Sequence, residues 1–187
     1  GYGGTTNITG GTLLVTDALG GAVNVSGAGT LGGTGTLGRS GITVTTSGLN
    51  WETMQLEERS ETREATHLTT IGDGGTLAPG LGGAGRLNVD GDLRFDQGST
   101  FVVHVGDDST GVDLTSGDVV IATSGSGARL SIVALDGLPA SGGDYTLLSA
   151  NSITGEFVVV LPDELDGYVV AYEGASGIVT SVVLRKE

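Results

Sequence analysis

In 187 residues the chain carries 22 carboxylates against eight Lys and Arg, a formal net charge of −14, which disfavours nucleic acid and anionic membranes as partners. It has no cysteine, so disulfide frameworks and thiolate metal sites are excluded. The 36 glycines far exceed the usual share of about 7 per cent, but they keep no three-residue period, which excludes collagen. Val, Ile and Leu are too frequent for a disordered linker.

From Gly1 to Gly48 the sequence repeats glycine, threonine and one apolar residue. The phrase stands at Gly11-Thr12-Leu13, Gly29-Thr30-Leu31 and Gly35-Thr36-Leu37, and again at Gly75-Thr76-Leu77. Looser copies begin at Gly21, Gly41 and Gly85. Such self-similarity indicates short strands joined by glycine turns, each stacked on its neighbours because none can bury a face alone. Leu13 and Val15, Val23 and Val25, and Ile42 and Val44 lie two residues apart, which sets each pair on one strand face. Only 4% of residues are aromatic, so the expected core is narrow and filled by ladders of Val, Leu and Ile.

Residues Leu49 to Ile71 break this rule. They contain no glycine and are dense in charge, with Glu52, Glu57, Glu58, Arg59, Glu61, Arg63 and Glu64, and they hold the only Trp and Met, Trp51 and Met54. As a helix, Trp51, Met54, Ala65 and Leu68 share one side with Asn50 as N-cap. Against this, Glu57 and Glu61, and Arg59 and Arg63, are like-charged pairs four residues apart. As a hairpin turning near Ser60, Glu57 would face Arg63 and Trp51 would face Thr69. Both conformations stay open, with the extruded hairpin or an irregular excursion favoured over the helix.

The glycine phrase resumes over Gly72 to Gly85, and the strands then lengthen. Leu93 and Phe95; Phe101, Val103 and Val105; Val119 and Ile121; and Leu130 and Ile132 mark inward faces. Tyr145 and Leu147; Phe157, Val159 and Leu161; and Tyr168, Val170 and Tyr172 continue the series. Over Ile178 to Leu184 the outward Val179 and Val183 are apolar too, as in strands covered on both faces. The C-terminal half is expected to be the thicker and more stable body.

Little in the sequence points to catalysis. His67 and His104 are the only histidines available as a base, and His104 alternates outward from Val103 and Val105, reading as an exposed strand histidine. Asp90, Asp92 and Asp96, and Asp107, Asp108 and Asp113, are close enough in sequence to suggest paired carboxylates, and the second group calcium. Their glycine-rich setting reads instead as turn aspartates. No catalytic, cofactor or metal role is assigned to any residue. Trp51, Met54, Arg59, Arg63 and His67 form the candidate binding set, since Trp, Met and Arg are enriched in interfaces. The alternative is a surface loop that merely covers part of the wall.

Gly3-Gly4-Thr5-Thr6, Gly11-Thr12-Leu13-Leu14-Val15, Leu19-Gly20-Gly21-Ala22-Val23, the run Gly29 to Gly38 and Gly75-Thr76-Leu77-Ala78-Pro79-Gly80 resemble autotransporter-associated β-strand repeats. Tyr145-Thr146-Leu147-Leu148-Ser149-Ala150 with Ile153-Thr154-Gly155-Glu156-Phe157 resembles the C-terminal end of such passengers. The resemblance covers nearly the whole chain except Leu49 to Ile71. It implies an all-β fold, a right-handed parallel β-helix, from which the one charged extruded excursion is a departure. Rungs at 1–48, the excursion at 49–71 and C-terminal, autochaperone-like rungs at 72–187 are expected, with Leu93 to Leu184 matching the family's folding nucleus.

The function it implies is a non-enzymatic stem of a secreted bacterial surface passenger, exported through the periplasm and outer membrane. The implied partner is the protein's own C-terminal outer-membrane β-barrel. A host-cell, matrix or bacterial surface ligand, or self-association, would use an adhesive surface. A polysaccharide-acting β-helix enzyme and a self-assembling surface filament are the alternatives. Beginning in mid-repeat, without initiator methionine, signal peptide or an apolar run of about 18 residues, the chain reads as a piece of a longer protein.

Overall fold

The computed structural model describes residues 4–38, 41–50, 55–64, 67–106, 109–135 and 143–187, with backbone alone for 41–50 and 55–64. The protein is all-β, 64% strand against 2% helix, and its largest sheet is parallel and curled into a half-barrel. In chain order the first strands are β1 (Thr6–Val15), β2 (Ala18–Leu19), β3 (Val23–Gly33), β4 (Thr36–Leu37), β5 (Gly41–Asn50) and β6 (Gln55–Glu64). Next come β7 (Leu68–Ile71), β8 (Thr76–Pro79), β9 (Gly85–Val89), β10 (Asp92–Phe95), β11 (Thr100–Val105) and β12 (Thr110–Leu114). The remainder are β13 (Asp118–Ile121), β14 (Arg129–Ala134), β15 (Tyr145–Ser149), β16 (Ser152–Thr154), β17 (Val158–Val160), β18 (Tyr168–Ala175) and β19 (Ile178–Lys186).

Parallel pairing assembles these strands into three stacks. The first runs through the early residues of β1 and β3 to β7, β10, β13 and β16. The second runs through the later residues of β1 and β3 to β8, β11, β14 and β17. The third joins β2, β4, β9, β12 and β15. Strands β1 and β3 are long because each crosses both of the first two stacks.

The core follows from this register. Val25, Ile71, Phe95 and Ile121 pair in sequence along the first stack, and all are buried. Leu31, Leu77, Phe101 and Leu130 do the same along the second. Leu37 and Val89 pair in the third, beside a second line of Leu87, Val112 and Leu148. Each residue therefore packs on its equivalents above and below, at the roughly 4.8 Å spacing of paired strands. The two-residue alternation expected from the sequence puts these residues inside, except Leu148, which is buried together with its neighbour Leu147, and puts Asn24, Arg94 and Thr146 outside. Outside, Asn24 donates its amide to Asn7 across the first pair at 3.0 Å.

Close stacking explains part of the glycine content. At Gly33 φ is +109°, and a Cβ there would run into the Val15 backbone. Gly35 next to it donates its N–H to the Val15 carbonyl at 2.8 Å. A side chain at Gly33 would push β3 away from β1 at the corner between stacks.

Towards the C-terminus the core thickens around three phenylalanines. The Phe95 and Phe101 rings lie 5.5 Å apart, and Phe157 lies 5.0 and 5.7 Å from them. These separations suit tilted and edge-on aromatic contact.

Two regions depart from the sequence reading. Of the expected excursion from Leu49 to Ile71, residues 55–64 form a strand that pairs antiparallel with Gly41–Asn50, Asn50 lying opposite Gln55 with no turn near Ser60, whereas Leu68–Ile71 is β7 of the first stack. Glu57 lies opposite Gly48 and Arg63 opposite Ile42, so Ile42 and Val44 belong to the hairpin and not to a stack. Their two-residue alternation is common to both settings, which is why the sequence could not separate them. Secondly, the chain from Tyr168 onward is antiparallel and does not continue the parallel order. Strand β19 pairs antiparallel with β15, and β18 with β19. The turn between them, with Ser176 and Gly177 both at positive φ, is short enough to reverse the chain. Val182, Val183 and Leu184 are all buried, in keeping with a strand expected to be covered on both faces. A shift in register between Thr146 and Leu148 accompanies that pairing. Tyr172 ties this pair to the body, its hydroxyl accepting the Phe157 N–H at 2.7 Å.

Candidate functional site

The β5–β6 hairpin forms a two-stranded sheet of its own, inserted between β4 and β7. At its root Gly38 donates its N–H to the Leu19 carbonyl at 2.9 Å, and the His67 carbonyl accepts the Asp92 N–H at 2.8 Å. The stack thus holds both ends of the insertion. His67 is half-buried here and belongs to the root. Arg59 and Arg63 lie on β6, four residues apart and therefore on the same strand face. Trp51 and Met54 lie outside the described residues. The fold brings Arg59 and Arg63 to one face of one strand and leaves His67 at the base.

A second polar constellation crosses the third stack. Arg86 on β9 donates Nε to Asp113 Oδ2 at 2.5 Å and an NH2-group hydrogen to Asp113 Oδ1 at 2.8 Å. Its other terminal nitrogen reaches the Thr146 carbonyl at 2.6 Å, and Ser149 Oγ donates to Asp113 Oδ1 at 2.6 Å. Arg86, Asp113 and Ser149 sit on β9, β12 and β15, so the network ties three successive strands. Arg86 lies beside Gly111 in the register, and a Cβ at Gly111 would collide with the guanidinium and the Leu147 carbonyl. Burial pushes the Asp113 carboxyl up, but the hydrogen bonds from Arg86 and Ser149, with the Arg86 charge, hold it below the usual carboxylate range.

The sequence placed Asp113 among turn aspartates, whereas it lies within β12 and is held by Arg86. Arg86 and Ser149 went unnoticed because their partners are 27 and 36 residues distant, and only the strand register links them. Glycine at position 111, opposite Arg86, was the available clue.

The remaining carboxylates disperse. Asp90 accepts the Ser116 hydroxyl at 2.6 Å, Asp92 the Asp118 N–H at 3.0 Å, and Asp118 the Ser152 hydroxyl at 2.9 Å. Asp96 pairs with Arg94 beside it at 2.6 Å. Among the described residues no three His, Cys, Asp or Glu side chains gather as a metal site would require. Asp107 and Asp108 lie outside the described residues.

His104 is half-buried, not exposed as its alternation suggested. Its Nδ1 is enclosed without a hydrogen-bond partner, while its backbone N–H donates to the Thr110 hydroxyl at 2.8 Å. An open depression of about 410 Å³ lies over Leu161, Pro162, Asp163, Leu165, Asp166, Gly167 and Tyr168. Its rim carries no base or metal ligand beyond the two aspartates. No known protein family and no curated protein matches this chain. The hairpin is the feature set apart from the stacks, and the Arg86 network fastens three strands of the third stack.

Proposed function

We propose that the chain is a stem segment of a secreted bacterial surface passenger of the autotransporter type, coiled as a right-handed parallel β-helix. It has no enzymatic activity. It supports folding and export of the passenger and presents the β5–β6 hairpin as an interaction surface. Its partners are a C-terminal outer-membrane β-barrel of the same protein and a ligand on a host cell, a matrix or another bacterium.

One observation carries the reading: after the hairpin the chain visits the first, second and third stacks in that order, three times over, from β7 to β15. A chain that keeps this order while pairing in parallel advances by one strand per circuit. Crossovers between parallel strands of one sheet are right-handed in about 98% of cases, which supports the hand. The glycine phrases named above support the family. The antiparallel pair β18–β19 covers the β15 edge, as a folding nucleus near a membrane anchor would need, since open edges invite aggregation.

The test places the chain between a secretion signal and an outer-membrane β-barrel in a Gram-negative cell, with an epitope tag before Gly1. Antibody should label intact cells, and external protease should release the tag. A chain lacking residues 161–187 should be degraded in the periplasm. Retention of the full fusion in the periplasm refutes the stem reading.

A further inference from the structure

Among the described residues strand β6 is paired along one edge only. Among the described residues its sheet contains β5 and β6 and nothing else. A lone two-stranded ribbon is marginal in water, and an open edge offers unpaired N–H and C=O groups to another strand. Charged residues usually guard such an edge. Here their order does something more specific.

Glu57, Arg59, Glu61 and Arg63 stand two residues apart and share one face of β6. The run alternates in sign and is its own complement when reversed. We propose that β6 is a self-recognition strand: two copies of this chain join antiparallel along β6, about a two-fold axis at Ser60, into a four-stranded sheet. That axis sets Glu57 opposite the partner's Arg63 and Arg59 opposite the partner's Glu61, each pair occurring twice by symmetry. On the other face Glu58 stands opposite the partner's Thr62 and Leu56 opposite the partner's Glu64. No like charges meet.

Neighbouring registers lack this property. An axis at Arg59 sets Arg59 on the partner's Arg59 and Glu57 on the partner's Glu61. An axis at Glu61 sets Arg59 on the partner's Arg63. Half-residue shifts bring Glu58 onto the partner's Glu61, or Glu57 onto the partner's Glu64. In-register parallel pairing sets every charge on its own kind. Directly opposed like charges are unfavourable, so of these arrangements the sequence favours the antiparallel one about Ser60, which alone among them sets four opposite-charge pairs face to face. It also selects the occupant, because an unrelated strand would not carry the reversed order. The proposal rests on the reading of the hairpin as an interaction surface.

Oligomeric state of the full chain, measured by sedimentation velocity with matched far-UV circular dichroism, tests it. The wild type should reach a dimer as concentration rises. The E57R/E61R and R59E/R63E variants should each sediment as monomers, and an equimolar mixture should recover the dimer. A wild type that stays monomeric, variants that both still dimerise, or a mixture that stays monomeric would each overturn the proposal. Should a charge variant lose the β signal, cysteine labelling decides, because the native chain has none. Nitroxides on S60C should lie at the shortest inter-label distance. Those on T62C should be farther apart, since four residues, about 14 Å along the strands, separate the two copies of position 62. Equal distances, or no dipolar coupling at S60C, refute the axis. A monomer that is displayed on cells refutes dimerisation and leaves the stem intact; a dimer retained in the periplasm refutes the stem alone.

Discussion

Replacing Arg86 by Met keeps the aliphatic stem and removes every hydrogen bond the guanidinium makes. Two of these go to Asp113, at 2.5 and 2.8 Å, and one to the Thr146 carbonyl at 2.6 Å. The bond to the Val112 carbonyl, at 3.4 Å, is too long to matter much. Exposed ion pairs contribute about 0.2–1 kcal/mol, and breaking a fully buried one costs about 3–5 kcal/mol. The side chains are 29% and 36% exposed, so solvent screens the pair in part, and a loss of about 2 kcal/mol follows between those limits. The pH dependence has a definite sign. Asp113 is held below its ordinary value in the folded protein, so its contribution is complete above the unfolded value of about 3.9. It is lost as pH falls through the folded value. Urea unfolding followed by circular dichroism should therefore show R86M well below wild type at pH 7, with the gap narrowing at pH 2. A gap under about 0.5 kcal/mol at pH 7, at the level of an ordinary surface substitution, refutes the argument. So does an undiminished gap at pH 2.

Gly33→Ala should cost about 2–4 kcal/mol in the same assay, because it adds a collision with Val15 to a positive φ. Gly82→Ala, also at positive φ but with open space around it, should cost about 1 kcal/mol; equal losses would show that close stacking plays no part. Phe101→Ala should lose about 3–5 kcal/mol by opening the contact with Phe95 and Phe157. A loss near 1 kcal/mol would mean that the aromatic cluster can collapse around the gap.

The strand faces were legible because burial in a stacked sheet has a strict two-residue period. Phe95, Phe101, Val119 and Leu130 all point inward as their spacing required. What the period cannot carry is the partner of each strand. The same alternation runs through Ile42-Thr43-Val44, which pairs in a hairpin, and through Val119-Val120-Ile121, which pairs in a stack. Antiparallel reversal at Tyr168 was hidden for the same reason, since both orientations use the same side-chain pattern. The Arg86–Asp113–Ser149 network depended on register twice over. The charged run lies on β6, in a two-stranded sheet that starts at Gly41 and is followed by β7 of the first stack, bounds that the glycine-free stretch alone did not mark.

The way the hairpin is inserted explains why a stacked fold tolerates so foreign a segment. Leu37 on β4 pairs with Leu19 and with Val89, and Thr69 on β7 pairs with Val23 and Leu93. The ladders therefore pass the insertion without a break. The Gly38 N–H and the His67 carbonyl, at the two roots, bond to neighbouring strands and not to the hairpin. Changes within β5 and β6 then leave the stacked contacts as they are, and such sites of free variation are where function accumulates on rigid scaffolds. Conversely, a charge reversal on β6 should leave thermal unfolding of the stacks unchanged while it changes association. The register thus leaves the pairing of the stacks independent of the hairpin.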